Sequence, residues 1–132
     1  MMTLDELVSI VITHIGDLRR CRVEHMKAAV ELAKAEWNLK VAQAQAEARA
    51  IQAVGGDEKA LGTNAEARQR ALTLAVAQDE GYRQAWEAWR LAMVGERLAA
   101  ASVEAAKEYV RLLGIVLQNC PEMAAEVPYE AD

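Results

Sequence analysis

The chain begins with a segment of about fifty residues that contains no proline, and this length limits the folds open to it. Between Thr3 and Ala53 the only glycine is Gly16, and alanine and other helix-favouring residues fill the remainder. At a rise of 1.5 Å per residue, one helix over this segment spans roughly 75 Å. Such a length is typical of a coiled coil or a helical hairpin, so the segment predicts an all-α protein.

Apolar and small residues recur along this segment with an average spacing close to 3.6, which predicts one apolar helix face. The predicted row consists of Leu4, Val8, Val11, Ile15, Leu18, Met26, Val30, Ala33, Trp37, Val41, Ala44, Ala48 and Ile51. Towards Ala50 the row becomes rich in alanine, which buries little area. We therefore expect that end of the helix to be packed more loosely.

Local signals divide the rest of the chain. Gly55-Gly56 ends the first helix, Thr63 is the expected N-cap of a second, and Asp79 is the expected N-cap of a third. Asn119-Cys120-Pro121 is a stop signal. These signals predict helices over about 3–53, 64–77 and 80–118 in a single helical domain, 1–118, followed by an acidic tail, 119–132.

Short connections favour antiparallel packing of successive helices. We therefore expect a long, coiled-coil-like antiparallel hairpin with a short helix at its bend. In the expected register Arg22 lies near Glu96, and Trp37 meets Tyr82 and Trp86 in one aromatic layer.

Apolar residues outside one narrow contact face are too numerous for a single partner helix to cover. The surplus predicts self-association, most simply a homodimer that forms a four-helix bundle.

The formal net charge of −5 argues mildly against a free-standing nucleic-acid-binding domain. Cys21 and Cys120 have no motif spacing and are expected to be reduced thiols. The chain has no stretch of apolar residues long enough to cross a membrane and no basic region ahead of an apolar run at its start. We therefore expect a cytoplasmic protein without a membrane partner.

Candidate metal ligands lie together near the start of the chain. His14, Asp17, Cys21 and His25 are spaced so that one helix face carries all of them, and cysteine and histidine are zinc ligands. Without a metal, we expect His14 to be an ordinary helix-surface residue, Cys21 a small buried hydrophobe, and Asp17 and His25 solvated side chains. We favour this interpretation and expect neither a metal nor another cofactor.

A nucleic-acid surface is the second possibility. Arg83, Arg90 and Arg97 recur every seven residues near the tryptophans Trp37, Trp86 and Trp89, and a basic patch extends from Arg19 to Lys27. Interleaved glutamates such as Glu87 are more typical of a solvated helix face. Nucleic-acid binding is therefore possible but not favoured.

Motifs of catalysis are missing from the sequence. Paired carboxylates such as Asp57-Glu58 and Asp79-Glu80 occur where helix capping explains them, and Gly55-Gly56 lacks the Lys-Ser/Thr of a phosphate-binding loop. We expect no enzymatic activity and no catalytic residues.

The segment from Gly55 to Trp86 resembles small helical proteins encoded by bacteriophages and prophages. In these proteins a loop of the form G-x-N-A-x-x-R, here Gly62 to Arg68, joins a long helix to a short one, and a D-x-x-Y step, here Asp79 and Tyr82, opens the next helix. The resemblance implies a phage-type accessory protein of uncharacterised function. Some such proteins occur among replication and recombination genes, which adds weight to a nucleic-acid-associated role.

The most favoured function is that of a non-enzymatic helical interaction or adaptor protein with an unidentified protein partner. The alternatives are a nucleic-acid-associated accessory factor and an inhibitor that blocks the surface of a host enzyme. The candidate interaction residues are Gly62, Asn64, Arg68, Arg83, Arg90 and Arg97. The loop from Gly62 to Arg68 is interpreted equally well as a structural cap, in which Thr63 or Asn64 caps the helix and Arg68 reaches back to Asp57 or Glu58.

Overall fold

A computed structural model describes residues 2–119, and all regular structure in this range is helical. Helix α1 covers Leu4–Ala53, α2 covers Ala65–Gln78 and α3 covers Glu80–Gln118, with a short 3-10 helix, Glu58–Leu61, between α1 and α2. The predicted ranges 3–53, 64–77 and 80–118 differ from these bounds by at most one residue at either end. The predicted acidic tail lies, after Asn119, outside the described residues.

Reciprocal side-chain bonds begin α1. The backbone N–H of Thr3 donates to Glu6 at 2.8 Å, and the N–H of Glu6 donates to the Thr3 hydroxyl at 3.2 Å. This capping box satisfies two of the N–H groups that a helix start leaves free. At the other end Gly55 and Gly56 have φ values of 84° and 83°, a left-handed conformation that other residues adopt at a cost.

The N-cap of α2 is Asn64 and not Thr63. Asn64 has extended backbone angles, and its side-chain oxygen accepts the N–H of Ala67 at 2.8 Å. Thr63 is one residue too far from the helix to reach the same N–H groups, since a cap acts on the residues two or three positions ahead. Asp79 caps α3 as predicted, accepting the N–H of Tyr82 at 3.0 Å.

The less exposed faces of α1 and α3 follow a repeat of 3.5 residues, which is the spacing of a coiled-coil seam. Less exposed residues recur at alternating steps of three and four along both helices. In α1 this seam row is Leu4, Leu7, Val11, His14, Leu18, Cys21, His25, Ala28, Leu32, Ala35, Leu39, Ala42 and Ala46, and in α3 it is Tyr82, Ala85, Trp89, Ala92, Glu96, Ala99, Val103, Ala106, Val110, Leu113 and Leu117.

The predicted contact row of α1 is therefore wrong over most of its length. Val8, Ile15, Met26 and Val30 are exposed, and Trp37 leaves 67% of its surface accessible. The predicted row has an average spacing of 3.6 residues and the seam row a spacing of 3.5 residues. Over a helix of fifty residues, two rows with these spacings come to lie on different faces. The expected aromatic layer is wrong for the same reason, since Trp86 is also 42% exposed.

The chain divides into two compact units. One contains the chain up to Ala28 and from Glu96 onward, and the other contains Ala29–Gly95. In the first unit α1 and α3 pack together, with Leu7 and Val103 buried. In the expected register Arg22 lies near Glu96, but the carboxylate of Glu96 bonds to His25, and Arg22 is exposed.

The second unit holds the alanine-rich end of α1. Ala42 and Ala46 are buried there together with Leu72 and Val76 of α2. In this unit the large buried side chains come from α2, and the buried residues of α1 are alanines, which permit close approach between helices.

Candidate interaction surfaces

The candidate metal ligands His14, Asp17, Cys21 and His25 are half-buried on the seam side of α1. The imidazole of His14 lies 4.3 Å from the ring of Tyr109, measured between centroids, and His25 Nε2 lies 2.8 Å from Glu96 Oε1. In the part of the chain that the structure describes, no three His, Cys, Asp or Glu side chains form a potential metal site. Both histidines thus have partners on α3.

The sequence predicted Glu96 as a neighbour of Arg22 and not of His25, and it predicted no contact between Tyr109 and His14. A heptad count would have found Glu96, because it occupies a seam position between Ala92 and Ala99. The His25 and Glu96 side chains leave 34% and 25% of their surfaces accessible to solvent. A polar pair at such a position favours one alignment of two helices over others, because any shift leaves both groups without a partner.

The loop between α1 and α2 is held by its own short-range contacts. Asp57 caps the 3-10 helix by accepting the N–H of Lys59 at 3.0 Å. Gly62 lies so close to α2 that a Cβ on it would be 2.8 Å from the Cβ of Ala67 and 2.9 Å from the backbone N of Arg68. Two of the candidate interaction residues therefore contribute to the structure at the start of α2: Gly62 permits the close approach, and Asn64 caps the helix.

Arg68 does not make the predicted ion pair. Among the described residues, no salt bridge joins Arg68 to Asp57 or Glu58. Arg68 instead lines a surface depression of about 410 Å³ together with Glu58 and Lys59. Lys59 and Arg68 contribute positive charges to its lining and Glu58 contributes a negative one.

A double hydrogen bond ties α1 to the junction of α2 and α3. Arg49 donates from Nε to Asp79 Oδ2 at 2.9 Å and from Nη2 to Asp79 Oδ1 at 2.8 Å. The guanidinium of Arg49, followed by the N–H of Tyr82, lowers the pKa of Asp79, and the Asp79 carboxylate in turn raises the pKa of Arg49. One carboxylate thus serves as a helix cap and as an ion-pair partner.

The arginines of α3 are largely occupied by neighbouring groups. Arg83 donates from Nε to the carbonyl of Ala77 at 3.1 Å, and Arg90 donates from Nε to Glu87 at 3.2 Å. Arg97 is exposed. Two of the three candidate phosphate-binding residues therefore already have acceptors within the protein.

The basic patch of α1 is also partly neutralised. Arg20 pairs with Asp17 at 2.6 Å and Lys27 with Glu24 at 3.5 Å. Arg19 and Arg22 are exposed. Within this patch, Arg19 and Arg22 take part in no salt bridge among residues 2–119.

Large apolar side chains are exposed along both long helices. Exposure is highest at Met26, Trp37 and Leu98, with 69%, 67% and 65%. The α1 outer row is Val8, Ile12, Ile15, Val23, Met26, Val30, Trp37 and Val41, and the α3 outer row is Leu91, Val94, Leu98, Tyr109, Leu112, Ile115 and Val116. Scattered apolar residues are normal on a surface, but contiguous rows mark interaction sites.

No protein-family model, curated protein or solved structure matches the chain. Within residues 2–119, no helix combines the length and the apolar character that crossing a membrane requires.

Proposed function

We propose that the chain is a non-enzymatic helical interaction protein that acts as an assembly, most simply a homodimer. The observation that supports this proposal is that few hydrophobic residues are buried in the core and many large ones are exposed on the surface. Among the described residues six hydrophobic residues are buried, whereas nineteen large hydrophobic side chains are exposed. Burial of apolar surface contributes about 25 cal/mol per Å², so covering these side chains favours association strongly.

Each chain of the proposed assembly is an antiparallel hairpin. In the first unit, His14 contacts Tyr109 and His25 contacts Glu96, so positions later in α1 meet positions earlier in α3. This order supports antiparallel helices. The seam rows of both helices support packing of the coiled-coil type, because their spacing is that of knobs and holes.

The biological role that we propose is that of a cytoplasmic, phage-type accessory protein that binds another protein. Its support is the resemblance of the segment from Gly55 to Trp86 and the exposed apolar rows. Protein contact is favoured over nucleic acid because Arg83, Arg90, Arg20 and Lys27 have acceptors within the chain. An inhibitor that covers the surface of a host enzyme would use the same apolar rows.

Light scattering coupled to size-exclusion chromatography tests the assembly directly. At about 100 µM, which is well above a Kd of about 1 µM, we expect a mass of twice one chain. A mass of one chain at this concentration would contradict the proposal. A salt-dependent gel shift with DNA and RNA tests the competing function, and strong retardation that salt abolishes would favour nucleic-acid binding instead.

A further inference from the structure

One face of α1 near its start has its own regular spacing. Asp5, Val8, Ile12, Ile15, Arg19 and Arg22 follow one another at steps of three and four, and all six are exposed. Val8, Ile12 and Ile15 leave 46%, 64% and 41% of their surfaces accessible. The seam row that packs towards α3 occupies a different face of the same helix. The six residues form a second potential helix–helix contact, here called the dyad face.

We propose that the dyad face binds the dyad face of a second copy of this chain in antiparallel orientation. This inference rests on the proposed homodimer and names its interface. In an antiparallel contact with steps of three and four, a two-fold axis between Ile12 and Ile15 places Ile12 opposite Ile15 of the second copy. The same axis places Val8 opposite Arg19 and Asp5 opposite Arg22.

Charge complementarity supports this occupant and this orientation. Asp5, Arg19 and Arg22 take part in no salt bridge between residues 2 and 119. In the antiparallel dimer, Asp5 of each copy lies opposite Arg22 of the other copy, so each end of the contact pairs opposite charges. A parallel dimer would instead place like charges together, which is unfavourable.

The apolar residues at the centre of the dyad face also meet apolar groups of the second copy. Ile12 and Ile15 form the middle of the contact and meet each other across the axis. Val8 meets the methylene stem of Arg19, whose charged group can stay in water. From residue 5 to residue 22 the contact extends for about 26 Å, at 1.5 Å per residue. Such an interface is at the small end of specific contacts, so we expect the dimer to dissociate on dilution.

Charge exchange between two variants tests the pairing of Asp5 with Arg22. Asp5→Arg and Arg22→Asp each place like charges at both ends of the contact, and we expect dimerisation to weaken about tenfold in each variant. In an equimolar mixture, the arginine introduced at position 5 of one chain meets the aspartate introduced at position 22 of the other. At the opposite end of the same contact, the native Asp5 of one chain meets the native Arg22 of the other. We therefore expect the mixture to form heterodimers about as tightly as the native protein forms homodimers.

Sedimentation velocity over a dilution series at low salt is the measurement, and circular dichroism checks that each variant stays helical. Glu36→Arg, at an exposed site of α1 outside the dyad face, is the matched control and should dimerise normally. Ile12→Lys should abolish dimerisation, whereas Leu98→Lys, on the α3 outer row, should leave it unchanged.

Different results would contradict the proposed homodimer and the dyad face as its interface. A native chain that stays monomeric would contradict the proposed homodimer itself. A native dimer that is unaffected by both charge variants, or is lost on Leu98→Lys, would overturn the dyad face and leave the homodimer intact. A mixture of the two charge variants that stays monomeric would also overturn the pairing.

Discussion

Arg49 and Asp79 form a two-pronged ion pair, with nitrogen–oxygen distances of 2.9 and 2.8 Å. The carboxylate that Arg49 holds also accepts the N–H of Tyr82 and so begins α3. This arrangement makes the start of one helix depend on a residue near the end of another. Its consequences for stability can be separated by substitution.

Asp79→Ala should lower the melting temperature by a few degrees, because α3 loses its cap and Arg49 loses its partner. Arg49→Ala should have a smaller effect, since Asp79 can still cap α3 without the ion pair. Thermal unfolding followed by circular dichroism compares the two variants. An equal loss in both would show that the ion pair, and not the cap, is the main contribution.

The same carboxylate predicts a dependence of stability on pH. Because Arg49 and the N–H of Tyr82 lower the pKa of Asp79 in the folded state, the pair stabilises the fold at pH values above the unfolded pKa of about 3.9. This contribution is lost as the pH falls through the lower pKa of the folded state. Glu87 and Glu108 act in the same direction, since Arg90 and Arg111 lower their pKa values.

The variant Asp79→Asn isolates the contribution of the Asp79 charge to this dependence of stability on pH, because asparagine can cap a helix but cannot be ionised. The melting temperature of the variant should lie below that of the native protein at pH 7, and the difference should shrink as the pH falls below about 4. Melting curves between about pH 7 and about pH 2.5 measure this difference. A difference that stays constant over this range would contradict the assigned role of the charge.

Helix ends were predictable from the sequence because their signals are local. Gly55-Gly56, Asp79 and the pair of Thr3 and Glu6 act on backbone groups within four residues of themselves. The exchange of Thr63 for Asn64 as the cap of α2 is a shift of one residue between two good capping residues. Asn64 lies three residues before Ala67, the spacing that an N-cap requires, whereas Thr63 lies four residues before it.

The buried faces were not predictable in the same way. The true seam of α1 contains His14, Cys21, His25 and several alanines, whereas a more apolar row with a 3.6 spacing lies beside it. Counting apolar residues therefore selects the exposed row. The two rows differ in their repeat, because a spacing of 3.5 and a spacing of 3.6 lead to different faces along a helix of this length.

Glycine substitutions at two sites should have opposite effects. At Gly62 a methyl group would approach the backbone of Ala67 and Arg68 to 2.9 Å, so Gly62→Ala should destabilise the fold by more than about 1 kcal/mol. Gly95 is exposed within α3, and a Cβ there meets no atom within 4 Å. Gly95→Ala should stabilise the fold by about 0.5–1 kcal/mol through helix propensity. Urea unfolding of both variants is the measurement, and a stabilising Gly62→Ala would contradict the close approach.

Alanine substitutions at Asn64 and Arg68 should separate structure from recognition in the loop. Asn64→Ala should lower the free energy of unfolding by about 1 kcal/mol, because the N–H of Ala67 loses its acceptor. Arg68→Ala should change stability little, since no salt bridge in residues 2–119 involves it. A large loss of stability in Arg68→Ala would show a structural role instead.

The pair of His25 and Glu96 should behave as a coupled unit. Each of His25→Leu and Glu96→Leu leaves a half-buried polar group without its partner, and each should cost about 1 kcal/mol in the free energy of unfolding. The double variant should cost less than the two single variants together, because it leaves neither group behind and adds apolar contact at the seam. A double-mutant cycle by urea unfolding measures the coupling, and the exposed pair of Glu87 and Arg90 is the control, with a smaller coupling expected. Strict additivity at His25 and Glu96 would show that the seam gains nothing from their bond, and that the alignment of α1 and α3 is set by apolar packing alone.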